Sequence, residues 1–120
     1  MTILIVDDSR AMRMIVRRTL HQAGFHHELQ EASSATEALN AIQSRQIDLI
    51  LCDWNMPEMT GLDLLQKLQS EGREIKFGFV TSESSSDIQS TAKSAGALFL
   101  ITKPFTPDAF RDVLEPILGM

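Results

Sequence analysis

A chain of 120 residues with 43% hydrophobic and 22% charged content has the size and balance of one globular domain that buries a core without disulfides. Its net charge of −5 disfavours nucleic acid, whose capture needs a basic patch, and its one cysteine excludes an internal disulfide and fits a reducing compartment. No apolar run reaches the length of a membrane span, and Ile3 to Val6 is too short for a secretory leader, so a cytoplasmic protein without membrane contact is expected.

Thr2 to Val6 is β-branched and aliphatic, reads as a strand, and stops at Asp7-Asp8. Ser9 then caps a helix whose apolar stripe is Met12, Ile15, Val16, Thr19, Leu20 and Ala23, with Gly24 as its left-handed stop. Arg10, Arg13, Arg17 and Arg18 on that helix read as a solvated face. His26 to Ala32, polar at alternate positions, predicts an edge strand. The adjacent His26 and His27 point to opposite faces of it and read as exposed rather than metal-binding.

Ser34-Ala35-Thr36-Glu37 has capping-box spacing and opens a helix with Ala38, Leu39 and Ile42 inward. Ile47 to Cys52 is short, branched and hardly alternates, which predicts a strand buried on both faces with Cys52 a structural thiol. Thr60 to Asp63 starts a third helix, with Leu62, Leu65 and Leu68 inward and Gly72 behind it. Ile75 to Val80 predicts a fourth strand finishing in Thr81. Ser84 to Ser94 is a serine-rich helix with Ile88, Ala92 and Ala95 inward, poor in helix formers and so the most mobile. Leu98 to Thr102 predicts the last strand, ending in Lys103-Pro104. Thr106-Pro107-Asp108 opens a last helix with Phe110, Val113, Leu114 and Ile117 inward. Pro116 lacks a backbone donor and crowds the carbonyl of Asp112, so the final turn is expected to be kinked or absent.

Five strands alternating with five helices through right-handed crossovers make an α/β, doubly wound (βα)5 domain over residues 1–120. With the flavodoxin-like strand order 2-1-3-4-5, Asp7, Asp8, Asp53, Thr81 and Lys103 all fall along one edge of the sheet. Three carboxylates there repel one another, and a hard divalent cation such as Mg²⁺ relieves that repulsion with one or two carboxylates and a carbonyl. With Asp8 and Asp53 on the cation, one Asp53 oxygen remains a nucleophile. Its natural electrophile is a phosphoryl group, whose oxygens the cation, Lys103 and Thr81 can bind.

These residues resemble a known family. Leu4-Ile5-Val6-Asp7-Asp8-Ser9, Asp53-Trp54-Asn55-Met56-Pro57 with Gly61, Val80-Thr81 and Lys103-Pro104-Phe105 are similar to the receiver domains of two-component response regulators, among them single-domain chemotaxis regulators. The resemblance implies that Asp53 accepts phosphate from a histidine kinase. It implies that Asp8, Asp53 and the Asn55 carbonyl ligate Mg²⁺, with Asp7 acting through water. It further implies that Thr81 and Lys103 contact the phosphoryl oxygens and that the Lys103-Pro104 bond is cis. The aromatic residue that many receivers carry three positions before the lysine is Leu100 here, and Phe99 faces the other side of the strand. Ser82 stands where alanine is frequent.

A signalling switch rather than an enzyme is therefore expected, beyond self-phosphorylation from small donors and self-dephosphorylation. Its partners would be a histidine kinase and a downstream protein docking on the face of Leu100 and the last helix, with the chain a monomer. With no output domain expected after residue 120, the response comes from docking, or the chain is a relay intermediate or phosphate sink. Two further readings are an aspartate-nucleophile phosphatase and a flavin-binding electron carrier. The first typically wants a second Asp where Asn55 stands, and the second a phosphate-cradling loop where Asp7-Asp8 would repel.

Overall fold

The computed structural model describes residues 1–83 and 85–118. Strands and helices alternate as β1 (Thr2–Val6), α1 (Arg10–Gln22), β2 (Glu28–Ala32), α2 (Ala35–Ser44), β3 (Leu49–Cys52), α3 (Gly61–Ser70), β4 (Lys76–Thr81), α4 (Ser86–Ser94), β5 (Phe99–Thr102) and α5 (Pro107–Leu118). All strand pairs are parallel, in the order β2-β1-β3-β4-β5, as expected for the doubly wound fold.

The strands carry apolar residues on both faces because both are covered. Ile3, Ile5, Leu49, Leu51, Val80 and Ile101 form one core layer with Val16 and Leu20 of α1 and Phe110 and Leu114 of α5. Leu4, Val6, Ile50, Cys52, Phe77 and Phe79 form the other, with Ala38 and Ile42 of α2, Leu64, Leu65 and Leu68 of α3, and Ala92 of α4. Each fully buried aliphatic or aromatic side chain contributes about 1.5–3 kcal/mol, so the fold is held chiefly at the β1–β3 centre of the sheet. The register places Val6 opposite both Ala32 and Cys52, Cys52 opposite Phe79, and Thr81 opposite Thr102. The strand ends are thus level, and whatever follows them shares one edge.

Several boundaries differ from the sequence reading, and pairing explains them. β1 starts at Thr2, which pairs with Glu28, so His26 and His27 precede β2 instead of opening it. Likewise β3 starts at Leu49, opposite Ile3, although Ile47 is buried nearby. β4 runs Lys76–Thr81 rather than from Ile75, and Leu98, expected in β5, lies before it and is 53% exposed. His26 is exposed, whereas His27 is half-buried with its ring 6.1 Å from that of Phe25.

Among the helices, α1 buries a narrower stripe than expected: Ile15 is exposed, while Val16, Thr19 and Leu20 are buried. In α3 the fully buried residue is Leu64, and Leu62 is only partly covered, a shift in the phase of the inward face. α4 is capped by Ser85, whose hydroxyl accepts the Ile88 N–H, and Ala92 is its only buried residue. The expected start at Ser84 lies outside the described residues. Pro116 does not end α5, which continues to Leu118. So near the helix end its missing N–H removes little, and Lys76 donates from Nζ to the Ile117 carbonyl at 3.2 Å, satisfying one last-turn acceptor.

Candidate functional site

The level ends of β1, β3, β4 and β5 bring Asp7, Asp8, Asp53, Thr81 and Lys103 to one edge of the sheet, beside the point where the chain winds to opposite sides. Carboxylate oxygens of Asp7, Asp8 and Asp53 all lie within 4.8 Å of one another, with Asp7 and Asp53 buried and Asp8 exposed. Lys103 reaches in from the β5 end, donating from Nζ to Asp7 Oδ2 at 3.1 Å and Asp53 Oδ1 at 3.4 Å. Thr81 is fully buried, and its hydroxyl accepts the Glu83 N–H at 3.2 Å. The Lys103-Pro104 peptide is cis.

Local chemistry holds these groups in place. Asp7 Oδ1 accepts the Ser9 N–H at 2.9 Å, an Asx-type turn that bends the chain out of β1 into α1. Ser9 in turn caps α1 by accepting the Met12 N–H. The Asp53 N–H donates to the Val6 carbonyl, and the Asn55 N–H donates to the Asp53 carboxylate. Gly61, packed beneath the loop, leaves room for that backbone: a Cβ there would stand 2.3 Å from the Asp53 carbonyl oxygen. Asn55 itself is exposed, and its side-chain amide donates to Glu83 Oε1 at 3.0 Å across the crevice.

Burial first, and then the neighbouring Asp7 charge, raise the Asp53 carboxyl above its ordinary value, against the pull of Lys103 and the Asn55 N–H. One lysine shared between two buried carboxylates, with a third carboxylate beside them, leaves negative charge in excess. That oxygen-only donor set fits a hard divalent cation. Cys52, fully buried behind Asp53, has its thiol pushed well up by burial and by the Asp53 and Asp7 charges, and fits the structural reading.

Two features escaped the sequence reading. The arginines of α1 are not one solvated face: Arg13 and Arg17 both bond Glu31 of β2, and Arg13 also donates from Nη1 to the Asp7 carbonyl at 2.7 Å. Only Arg10 and Arg18 fit the solvated reading, both being exposed. Glu31 lies 18 residues from Arg13 along the chain, and its partner becomes legible only once β2 is set beside β1. Glu83, the partner of Asn55, was equally silent because it follows a strand end without joining a motif.

Residues 3–115 match the family model of the response regulator receiver domain. The chain is 40% identical to the chemotaxis protein CheY1 of Helicobacter pylori, over 99% of this chain and 98% of that one. It is 38% identical to the chemotaxis protein CheY of Pseudomonas aeruginosa, over 98% and 95% of the two chains. Among solved structures, the chemotaxis protein CheY4 of Vibrio cholerae superposes with a TM-score of 0.83 at 33% identity, covering 97% of each chain. A doubly wound sheet with three aspartates and a lysine gathered at its edge, matched over almost the whole length, leaves one assignment: the chain belongs to the response regulator receiver domain family.

Proposed function

We propose that this chain is a phosphorylation-activated signalling switch whose phosphoacceptor is Asp53. The observation that carries the reading is the convergence of the Asp7, Asp8 and Asp53 oxygens within 4.8 Å, with the Lys103 ammonium 3.4 Å from Asp53, on a receiver fold. Asp8, Asp53 and the Asn55 backbone carbonyl would hold Mg²⁺, with Asp7 acting through water. Bound there, the cation neutralises the carboxylates and withdraws charge from a transferring phosphoryl group.

The step itself is a displacement at phosphorus. An Asp53 carboxylate oxygen forms the new O–P bond as the P–N bond to a donor imidazole breaks, and the imidazole nitrogen keeps the electron pair and takes up a proton. Lys103 and the Thr81 hydroxyl bind the phosphoryl oxygens. The donor is a histidine kinase, and the chemotaxis proteins among the relatives make a chemotaxis pathway the favoured setting. Output comes from a downstream protein docking on the face of Leu100 and α5, in the cytoplasm. Hydrolytic turnover is not its role: Asn55 stands where a general acid would be needed, and an amide cannot supply the proton.

Trp54, buried directly beside Asp53, gives the test. Adding Mg²⁺ and then acetyl phosphate should change its fluorescence in two steps, the second requiring the first. A second step that survives excess EDTA would overturn the proposal.

A further inference from the structure

We propose that Arg13 and Glu31 form a strut that positions Asp7 in the crevice, which makes β2, a strand with no site residue of its own, part of the site. The inference rests on the reading of Asp7, Asp8 and Asp53 as a cation site.

Asp7 is held from every side. Its N–H donates to the Ala32 carbonyl at 3.1 Å, continuing the β1–β2 ladder one residue past the strand end. Its side chain is divided between the Ser9 N–H and the Lys103 ammonium. Its own carbonyl accepts Arg13 Nη1 at 2.7 Å, a short charge-assisted bond to a group that must find a donor where the chain leaves the sheet. The guanidinium is fixed in turn, because its Nε donates to Glu31 Oε1 at 2.9 Å. Arg17 holds the other Glu31 oxygen through Nη2 at 2.9 Å and Nε at 3.2 Å. The Arg13 side chain is only 14% exposed, while Glu31 meets it from the surface of β2 with its side chain 30% exposed. Both backbone groups of Asp7 are thus referred to β2, the N–H directly and the carbonyl through Arg13 and Glu31.

A positive charge beside a cation site is a liability if it acts only through its field. A planar fork with two acceptors in reach is what a positioning residue needs, and a lysine cannot reproduce it. These two roles predict opposite signs. Loss of the charge alone would tighten cation binding, whereas loss of the strut would weaken it. Groups that orient metal ligands from behind typically matter about 10–100-fold in affinity. At an indirect ligand such as Asp7 the lower end, about tenfold, is expected.

The experiment is a Mg²⁺ titration read by Trp54 fluorescence and by calorimetry on the intact chain. It compares wild type, Arg13→Gln, Arg13→Lys, Glu31→Gln, the Arg13→Gln/Glu31→Gln pair, and Asp8→Ala as a control. Both Arg13 variants should weaken Mg²⁺ about tenfold, Glu31→Gln should weaken it less, and the double variant should be no worse than Arg13→Gln alone. The labelling rate with acetyl phosphate should recover in Arg13→Lys at saturating Mg²⁺, a separation that general damage to the fold would not give. Should Arg13→Gln fail to fold, Arg13→Lys and Glu31→Gln decide the matter. Unchanged or tighter Mg²⁺ binding in Arg13→Lys, with Asp8→Ala weakened, would overturn the strut alone. A wild type that binds no Mg²⁺ would overturn the cation site beneath it and the strut together.

Discussion

Lys103 stands closer to Asp7, at 3.1 Å, than to Asp53, at 3.4 Å, so its ammonium is shared between the two buried carboxylates instead of belonging to Asp53 alone. It is anchored from the backbone as well, where its N–H donates to the Thr81 carbonyl at 2.8 Å. A phosphoryl group on Asp53 would compete with Asp7 for this ammonium and pull on the β5 end. Lys103→Ala should therefore still be phosphorylated, because cation and nucleophile remain, and should bind Mg²⁺ more tightly for want of a competing positive charge. It should lose the phosphorylation-dependent change in partner docking. A phosphorylated Lys103→Ala protein that docks with normal preference would contradict this.

The burial of Asp53 has a consequence for stability. Its carboxyl is raised above the ordinary aspartate value of 3.8, by burial first and by Asp7 second. A carboxylate raised on folding costs stability when ionised, a cost complete above the folded-state pKa and absent below the unfolded-state value. Asp53→Asn in EDTA should thus melt higher than wild type at neutral pH, with the gap closing as pH falls through the acidic range. Thermal unfolding across pH measures this, and a variant melting lower at neutral pH would be inconsistent with it.

Gly61 gives a steric prediction. A Cβ there would lie 2.3 Å from the Asp53 carbonyl oxygen and 2.9 Å from Phe79 Cε1, and a backbone oxygen directly after β3, whose own N–H is tied to Val6, cannot step aside cheaply. Gly61→Ala should cost about 1–3 kcal/mol, as overpacking does, and should displace Asp53 enough to slow its labelling. Denaturant unfolding and labelling rate, measured together, check both halves.

Much of the fold is legible in the sequence. The runs that end in Asp, Thr or Lys suggest the strand order without fixing it, and the observed register, with its level strand ends, brings those residues to one edge. Boundaries were less legible: β2 begins at Glu28 because Thr2 pairs there, a fact about β1 and not about His26 or His27. The pairing of Arg13 with Glu31 was hidden for the same reason, since helix periodicity marks a polar face but not what stands opposite it. Pro116 does not stop α5 as expected because it lies within the last turn, where one missing N–H removes little.

Leu100 and Phe99 bear on how a signal would leave the site. Leu100 packs toward the α2–α3–α4 side, Phe99 toward the α1–α5 side, where its ring lies across Gly78. Phe99 therefore cannot stand in for the aromatic residue that Leu100 replaces. α4, which buries only Ala92, is the element that a charge-assisted hydrogen bond, worth about 1.5–3 kcal/mol, would reorder most readily. Beryllofluoride should change amide exchange most in residues 82–96, and Leu100→Ala should leave partner discrimination largely intact. Unaltered exchange there, with a response confined to β5, would assign the coupling to Leu100 instead.

Asp53 is proposed to receive the phosphoryl group and to need a divalent cation to do so. Incubation with acetyl phosphate and Mg²⁺, borohydride reduction and peptide mass spectrometry would locate the adduct. Modification is expected at Asp53 alone, with none in Asp53→Asn and none in excess EDTA. Full labelling of Asp53→Asn, or labelling of the wild type undiminished by EDTA, would contradict it.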